Sequence, residues 1–109
     1  MPTRSVVEYL TPAGISPFAK WFAQLDVTAA TKVTTALYRM EQGNLSNIKP
    51  VGQGVAEYRI DFGPGYRLYV GQEGQTLIIL LGGGQKKGQT TDIQRAQHCW
   101  RDYKARKRK

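Results

Sequence analysis

Two arginines, Arg59 and Arg67, stand in the stretch GVAEYRIDFGPGYRLYV that runs from position 54 to position 70. A guanidinium offers paired N–H donors that match phosphate or carboxylate oxygens, so two of them on one surface make an anion-binding arrangement. Gly63-Pro64-Gly65 reads as a three-residue turn between two strand-like runs. That turn pairs Phe62 with Tyr66, Ile60 with Leu68 and Tyr58 with Val70 on an apolar face, and Asp61 with Arg67 and Arg59 with Tyr69 on the other. A one-residue slip sends Ile60, Phe62 and Leu68 into water, so the alternation pins the register. Arg59, Arg67 and Tyr69 are then expected to project together from the exposed face of a hairpin.

Further cations follow. Lys86 and Lys87 lie in a basic, polar loop after Gly82-Gly83-Gly84, and the last nine positions hold six basic residues and one acid. The chain carries +8 at neutral pH with pI near 9.9, and most of that excess sits in this terminal run. Such a run is either a solvated, frayed helix end or a contact to nucleic acid or an acidic partner, with Arg101 and Lys104 as its candidate binding residues. His98 is the single histidine and Cys99 the single cysteine. They supply neither a disulfide framework nor a Cys/His zinc set. The glycine run lacks the spacing and the Gly-Lys-Ser/Thr ending of a nucleotide-hydrolase loop.

The elements that must position these groups are legible from periodicity. A chain of 109 residues, 40% apolar, suits one domain over positions 1–109, with a basic tail over 101–109. SVVEYL, from position 5, reads as a strand closed by Thr11-Pro12-Ala13-Gly14. Ser16 can cap a helix with Pro17 in its first turn, and Phe18, Trp21, Phe22 and Leu25 share one face. Asp26 or Thr28 can cap a second helix carrying Val33, Ala36, Leu37 and Met40, ended by Gly43-Asn44. Residues 45–54, with Pro50, Gly52 and Gly54, read as a loop. After the hairpin and a turn at Glu73-Gly74, Leu77 to Leu81 is apolar without alternation, as a strand covered on both faces requires. The glycine run is expected to end it. Thr90-Thr91-Asp92 signals a C-terminal helix with Ile93, Ala96 and Trp100 on its buried side, and Tyr103 one turn beyond Trp100 as packing. Nothing approaches the length of an apolar membrane span or the design of a signal peptide, so a soluble cytoplasmic protein with no membrane partner is expected.

In this order, β-α-α-β-β-β-α, the chain resembles the RelE/ParE superfamily of toxins from type II toxin–antitoxin systems, and most closely the phage-derived, Gp49-like or HigB-like addiction module killer proteins. The resemblance rests on GVAEYRI from Gly54, GYRLY from Gly65, and LLGG from Leu80 followed by Lys86, Gln89, Asp92-Ile93, Ala96 and Trp100-Arg101-Asp102-Tyr103. It implies a RelE-like α+β fold, a helical hairpin on a twisted antiparallel sheet whose hollow holds basic residues. Members of the RelE type cut mRNA in the ribosomal A site, whereas members of the ParE type poison DNA gyrase on the same fold, so fold alone does not choose between an endoribonuclease and a non-enzymatic binder.

RNA can be cut without metal or cofactor when its 2′-hydroxyl is aligned on the adjacent phosphorus and the added charge is stabilised. The resemblance assigns Arg67, in its Gly-Tyr-Arg run, to the scissile phosphate. Arg59 is the second phosphate contact, Lys86 and Lys87 hold phosphate or protonate the leaving 5′-oxygen, and Tyr69 stacks on a base or orients the attacking hydroxyl. Each has a structural counterpart: ion pairs of Asp61 with Arg67 and of Glu57 with Arg59, a solvated turn for the lysines, and packing for Tyr69. His98 as general base stands against a surface role in the helix. The resemblance also implies partners: a cognate antitoxin of helix-turn-helix type, mRNA and the ribosome, and operator DNA bound together with the antitoxin. The other readings are a ParE-like gyrase inhibitor, a nucleic-acid or antitoxin-binding module, and a decayed prophage remnant without activity.

Overall fold

A computed structural model describes residues 3–107. The fold is α+β: β1 (Ser5–Glu8), α1 (Pro17–Phe22), α2 (Val27–Glu41), β2 (Ile48–Gly52), β3 (Val55–Ile60), β4 (Tyr66–Glu73), β5 (Leu77–Gln85) and α3 (Gln89–Lys107). The five strands form one sheet in the order β1-β5-β4-β3-β2. No helix among the described residues is long and apolar enough to cross a membrane.

The helices start where capping chemistry places them. Ser16 Oγ accepts from the Ala19 N–H at 3.0 Å with Pro17 in the first turn, and Asp26 Oδ1, not Thr28, accepts from the Ala29 N–H at 2.8 Å. Phe18, Val33, Ala36 and Met40 are buried on one face of the sheet against Tyr58, Leu68, Val70, Ile78 and Leu80. The opposite face carries α3, whose Ala96 and Trp100 pack on Val55, Tyr69, Ile79 and Leu81. Alternate residues of β4 and β5 therefore serve two cores, which is why residues 77–81 show no alternation.

Four expectations are corrected. The sheet is mixed rather than antiparallel, because β1 runs parallel to β5, with Ser5 opposite Leu77 and Glu8 opposite Leu80. Residues 48–52, expected within a loop, form the edge strand β2 on β3, bulged between Pro50 and Gly52. Proline lacks a donor for a ladder and is tolerated at such an edge. The glycines at 82–84 do not end β5, which continues to Gln85. A Cβ at Gly83 would collide with Trp21 and one at Gly84 with Asp92, so the absent side chains let a helix close on each face. Finally, the hairpin loop is longer than three residues.

In the observed ladder Ile60 pairs with Tyr66, Arg59 with Arg67, Tyr58 with Leu68 and Glu57 with Tyr69. The connection is thus residues 61–65, folded by Phe62 N–H donating to Ile60 O and Gly65 N–H to Phe62 O. Gly63 (φ 55°) and Gly65 (φ 81°) both enter the left-handed region that L side chains avoid. Because the shift from expectation is two residues and the side-chain period is two, every residue keeps its face while its cross-strand partner changes.

Candidate anion-binding site

The strand face that carries Arg59, Arg67, Glu57 and Tyr69 is the one on which α3 packs. Tyr69 is 1% exposed and Arg67 4%, so the expected open face is covered there; Arg59 stays exposed, beyond the reach of the helix. The hairpin end of this face nevertheless stays open. A hollow of about 270 Å³ is lined by Arg59, Arg67 and Lys86, by Asp61, and by Phe62, Gly63 and Gly65 of the connection. Three cations against one carboxylate give it a positive lining.

Each cation is placed by a different device. Arg67 comes from the start of β4, next to the hairpin connection, and is paired with Glu57, whose Oε1 lies 3.5 Å from Arg67 Nε, both side chains being buried. Gln89 Nε2, at the start of α3, donates to the same Oε1. Among the described residues Arg67 Nε and Glu57 Oε2 have no hydrogen-bond partner, so the buried pair is joined by Coulomb attraction rather than by an aligned bond. Lys86 is delivered by its own N–H, which donates to Gly65 O at 2.9 Å and ties the β5–α3 connection to the hairpin. Gly65 is required by its backbone, at φ 81°; a Cβ there would make ordinary contacts, 3.4 Å from Arg67 Nη1 and 3.6 Å from Lys86 Cβ. Arg59 is half exposed and has only a loose pair with Asp61, at 4.0 Å.

The ion pairs are therefore exchanged relative to expectation. Arg67 pairs with Glu57, and Arg59 with Asp61. The direct opposition of Arg59 and Arg67 across the ladder is repulsive unless a counter-charge intervenes, and Glu57 is committed to the far side of Arg67.

Other expected groups lie elsewhere. Lys87 is exposed but does not line the hollow. Tyr69 presents no stacking face. Burial first, then the nearby Glu57 and Asp92 carboxylates, hold its hydroxyl well above the usual tyrosine range, so it stays protonated at neutral pH. Arg101 donates to Gln53 Oε1 in the β2–β3 turn at 2.6 Å, and Lys104 lies over the Trp100 ring, 5.6 Å from its centroid. Both sit toward the other end of α3 and outside the hollow's lining. The basic run is no frayed end through Lys107: α3 is helical that far, Arg106 pairs with Asp102 at 2.7 Å, and Lys107 contacts Glu73. Positions 108 and 109 lie outside the described residues. Tyr103 stacks on Trp100 with centroids 5.3 Å apart, as packing requires, and His98 is exposed on α3.

Sequence reasoning assigns Glu57 to Arg59 rather than to Arg67 and gives Gln89 no part in the site. The shared strand parity of Glu57, Arg59 and Arg67 is the available signal for the first; the reach of α3 back onto β3 is a tertiary matter that the sequence does not signal.

No family model matches the chain. Over 81 residues it is 40% identical to an uncharacterized protein of Haemophilus influenzae (strain ATCC 51907 / DSM 11121 / KW20 / Rd), a match covering 73% of this chain and 82% of that protein. The chain belongs to that protein's family. A relationship of this extent covers most of the fold.

Proposed function

We propose that the protein is the toxin of a type II toxin–antitoxin module, of RelE-like fold and HigB-like kind, acting as a ribosome-dependent, metal-independent mRNA endoribonuclease in the cytoplasm. The observation that carries the reading is the convergence of Arg59, Arg67 and Lys86 on one small open hollow. A phosphodiester seated there meets a buried, oriented guanidinium, a second, exposed one, and an ammonium at the rim. Stabilising the charge that develops on its oxygens is the main task in cleavage by the adjacent 2′-hydroxyl. Asp61 is the carboxylate in the lining; we assign it to accept the hydroxyl proton and Lys86 to donate to the leaving 5′-oxygen. An acidic antitoxin segment laid over the hollow blocks it and neutralises the same cations; the cognate antitoxin, of helix-turn-helix type, would then carry operator DNA in complex with the toxin.

The discriminating experiment is controlled expression in bacteria, with mapping of mRNA ends by primer extension and of DNA breaks by damage-response induction. New ends within translated messages, absent for the Arg59→Ala/Lys86→Ala variant, support the nuclease. Trapped DNA breaks without new mRNA ends replace it with the ParE-like gyrase inhibitor, and neither effect, in cells that grow normally, leaves a binding module or a decayed remnant.

A further inference from the structure

A second cleft lies apart from the cationic hollow. It encloses about 820 Å³ along the outer edge of β5, between α1 and α3, within the range of small-molecule sites. β1 pairs with β5 only as far as Leu80, so residues 81–85 have no strand beside them on that edge.

Two observations mark the cleft as a built site. The first is Gly82. Its neighbours Gly83 and Gly84 are glycines because Trp21 and Asp92 occupy the space of a side chain, but a Cβ at Gly82 would meet nothing within 4 Å. Its φ lies outside the left-handed region, so the backbone does not require glycine either. A strand glycine weakens the strand and packs nothing; here it leaves an empty cradle in the floor of the cleft. The second is Tyr69, the ladder partner of Gly82. It contributes to the cleft wall and is 1% exposed, yet its hydroxyl has no hydrogen-bond partner among the described residues. Buried hydroxyls are nearly always satisfied.

We infer that this cleft binds a nucleobase of the RNA strand, lying flat over the backbone at Gly82 with its polar edge on the Tyr69 hydroxyl and the Asp92 carboxylate. A flat ring suits a floor without side chains, and a hydroxyl beside a carboxylate matches the mixed donors and acceptors of a base edge. The location agrees with this ligand. Gly84, the ladder neighbour of Arg67, is two residues from Gly82, a step of about 6.6 Å along a strand. Gln85 and Gly88 line the cleft while Lys86, between them, lines the hollow. An RNA strand with a phosphate in the hollow thus passes over this connection and lays an adjacent base in the cleft. The inference rests on the RNA reading above for the identity of its ligand, and gives that reading a second subsite.

The test is a titration of isotope-labelled full-length protein, followed by amide chemical shifts, with each of the four nucleosides and separately with inorganic phosphate. At least one nucleoside is expected to saturate shifts at Gly82, Gly83 and Ala96, and phosphate to move Arg67 and Lys86 instead. Gly82→Leu fills the cradle and is expected to weaken nucleoside binding at least tenfold while leaving the phosphate response unchanged. Gly82→Ala, which adds one methyl to empty space, gives a smaller loss of the same kind should the leucine variant not fold. Tyr69→Phe is expected to weaken it three- to tenfold. The inference is overturned if no nucleoside saturates these amides, if an extended acidic peptide does so and nucleosides do not, or if neither Gly82 variant changes nucleoside affinity. A nucleoside response without a phosphate response upholds the cleft and removes the phosphate role of the hollow, so the two readings fail separately.

Discussion

On the proposed function Arg67 couples chemistry to stability, and Arg59 does not. Removing the Arg67 guanidinium leaves Glu57, which is 1% exposed, as an uncompensated buried charge. Breaking such a pair typically costs about 3–5 kcal/mol, so Arg67→Ala is expected to lower stability by that order in chemical denaturation. Replacing both partners, as in Glu57→Gln with Arg67→Met, should recover much of the loss, because the cost lies in the orphaned charge. Arg59→Ala removes a half-exposed side chain with a loose partner and should change stability by no more than about 0.5 kcal/mol. Activity is expected to fall in Arg59→Ala and in Lys86→Ala, and these variants test the site without confounding it with folding. That Arg59 and Arg67 share one strand face was legible from the apolar alternation of the sequence. The buried state of Arg67 was not, because the apolar alternation that fixes its face is silent about what packs on that face.

Among the elements, the connections decide the site. Gly65 stands at positive φ, and an added methyl there would touch Arg67 Nη1 and Lys86 Cβ at ordinary contact distance. Gly65→Ala is expected to cost about 1–2 kcal/mol from left-handed strain and to reduce anion binding as well. Gly74→Ala, at positive φ but with open space around it, should show the strain alone. At the other end of α3, Tyr9 Oη donates to Asp102 at 2.6 Å and Arg106 pairs with the same carboxylate. The Tyr9 bond first, then Arg106, hold the Asp102 carboxyl below the usual aspartate range. A depressed carboxyl contributes stability that is present above the unfolded value of about 3.9 and is lost as pH falls through the lower folded value. Asp102→Asn should therefore be less stable than wild type at neutral pH, with the difference closing in acid, as read by thermal unfolding across pH. The helices were legible because Ser16-Pro17 and Asp26 cap them with local chemistry. β2 and the end of β5 were not, since Pro50 and Gly82-Gly83-Gly84 signal breaks locally, and only an edge position and the close approach of Trp21 and Asp92 reverse that meaning.

For the whole molecule, the sheet divides labour between its faces. The helical hairpin seals one side, and α3 covers the other but stops at Gln89, so the hollow at the hairpin end and the cleft along β5 remain open on either side of Lys86. With a net charge of +8, encounter with an anionic strand should be fast and sensitive to salt. Removing one phosphate-binding cation should flatten the dependence of log K on log salt by about 0.7 for a single strand, and Lys86→Ala measured against a single-stranded RNA checks this. The basic end of α3 adds to this field at a distance, while Arg106 and Lys107 are engaged in holding the helix to the chain just after β1 and to β4. The central claim, that the hollow seats a phosphodiester for attack by its own 2′-hydroxyl, is tested most directly by incubating purified protein with ribosomes programmed with a defined mRNA. Cleavage to a 5′-hydroxyl fragment is predicted, blocked by a 2′-deoxy substitution at the cut position and abolished in the folded Arg59→Ala/Lys86→Ala variant. Intact mRNA with the wild-type protein, or unchanged cleavage by that variant, would contradict it.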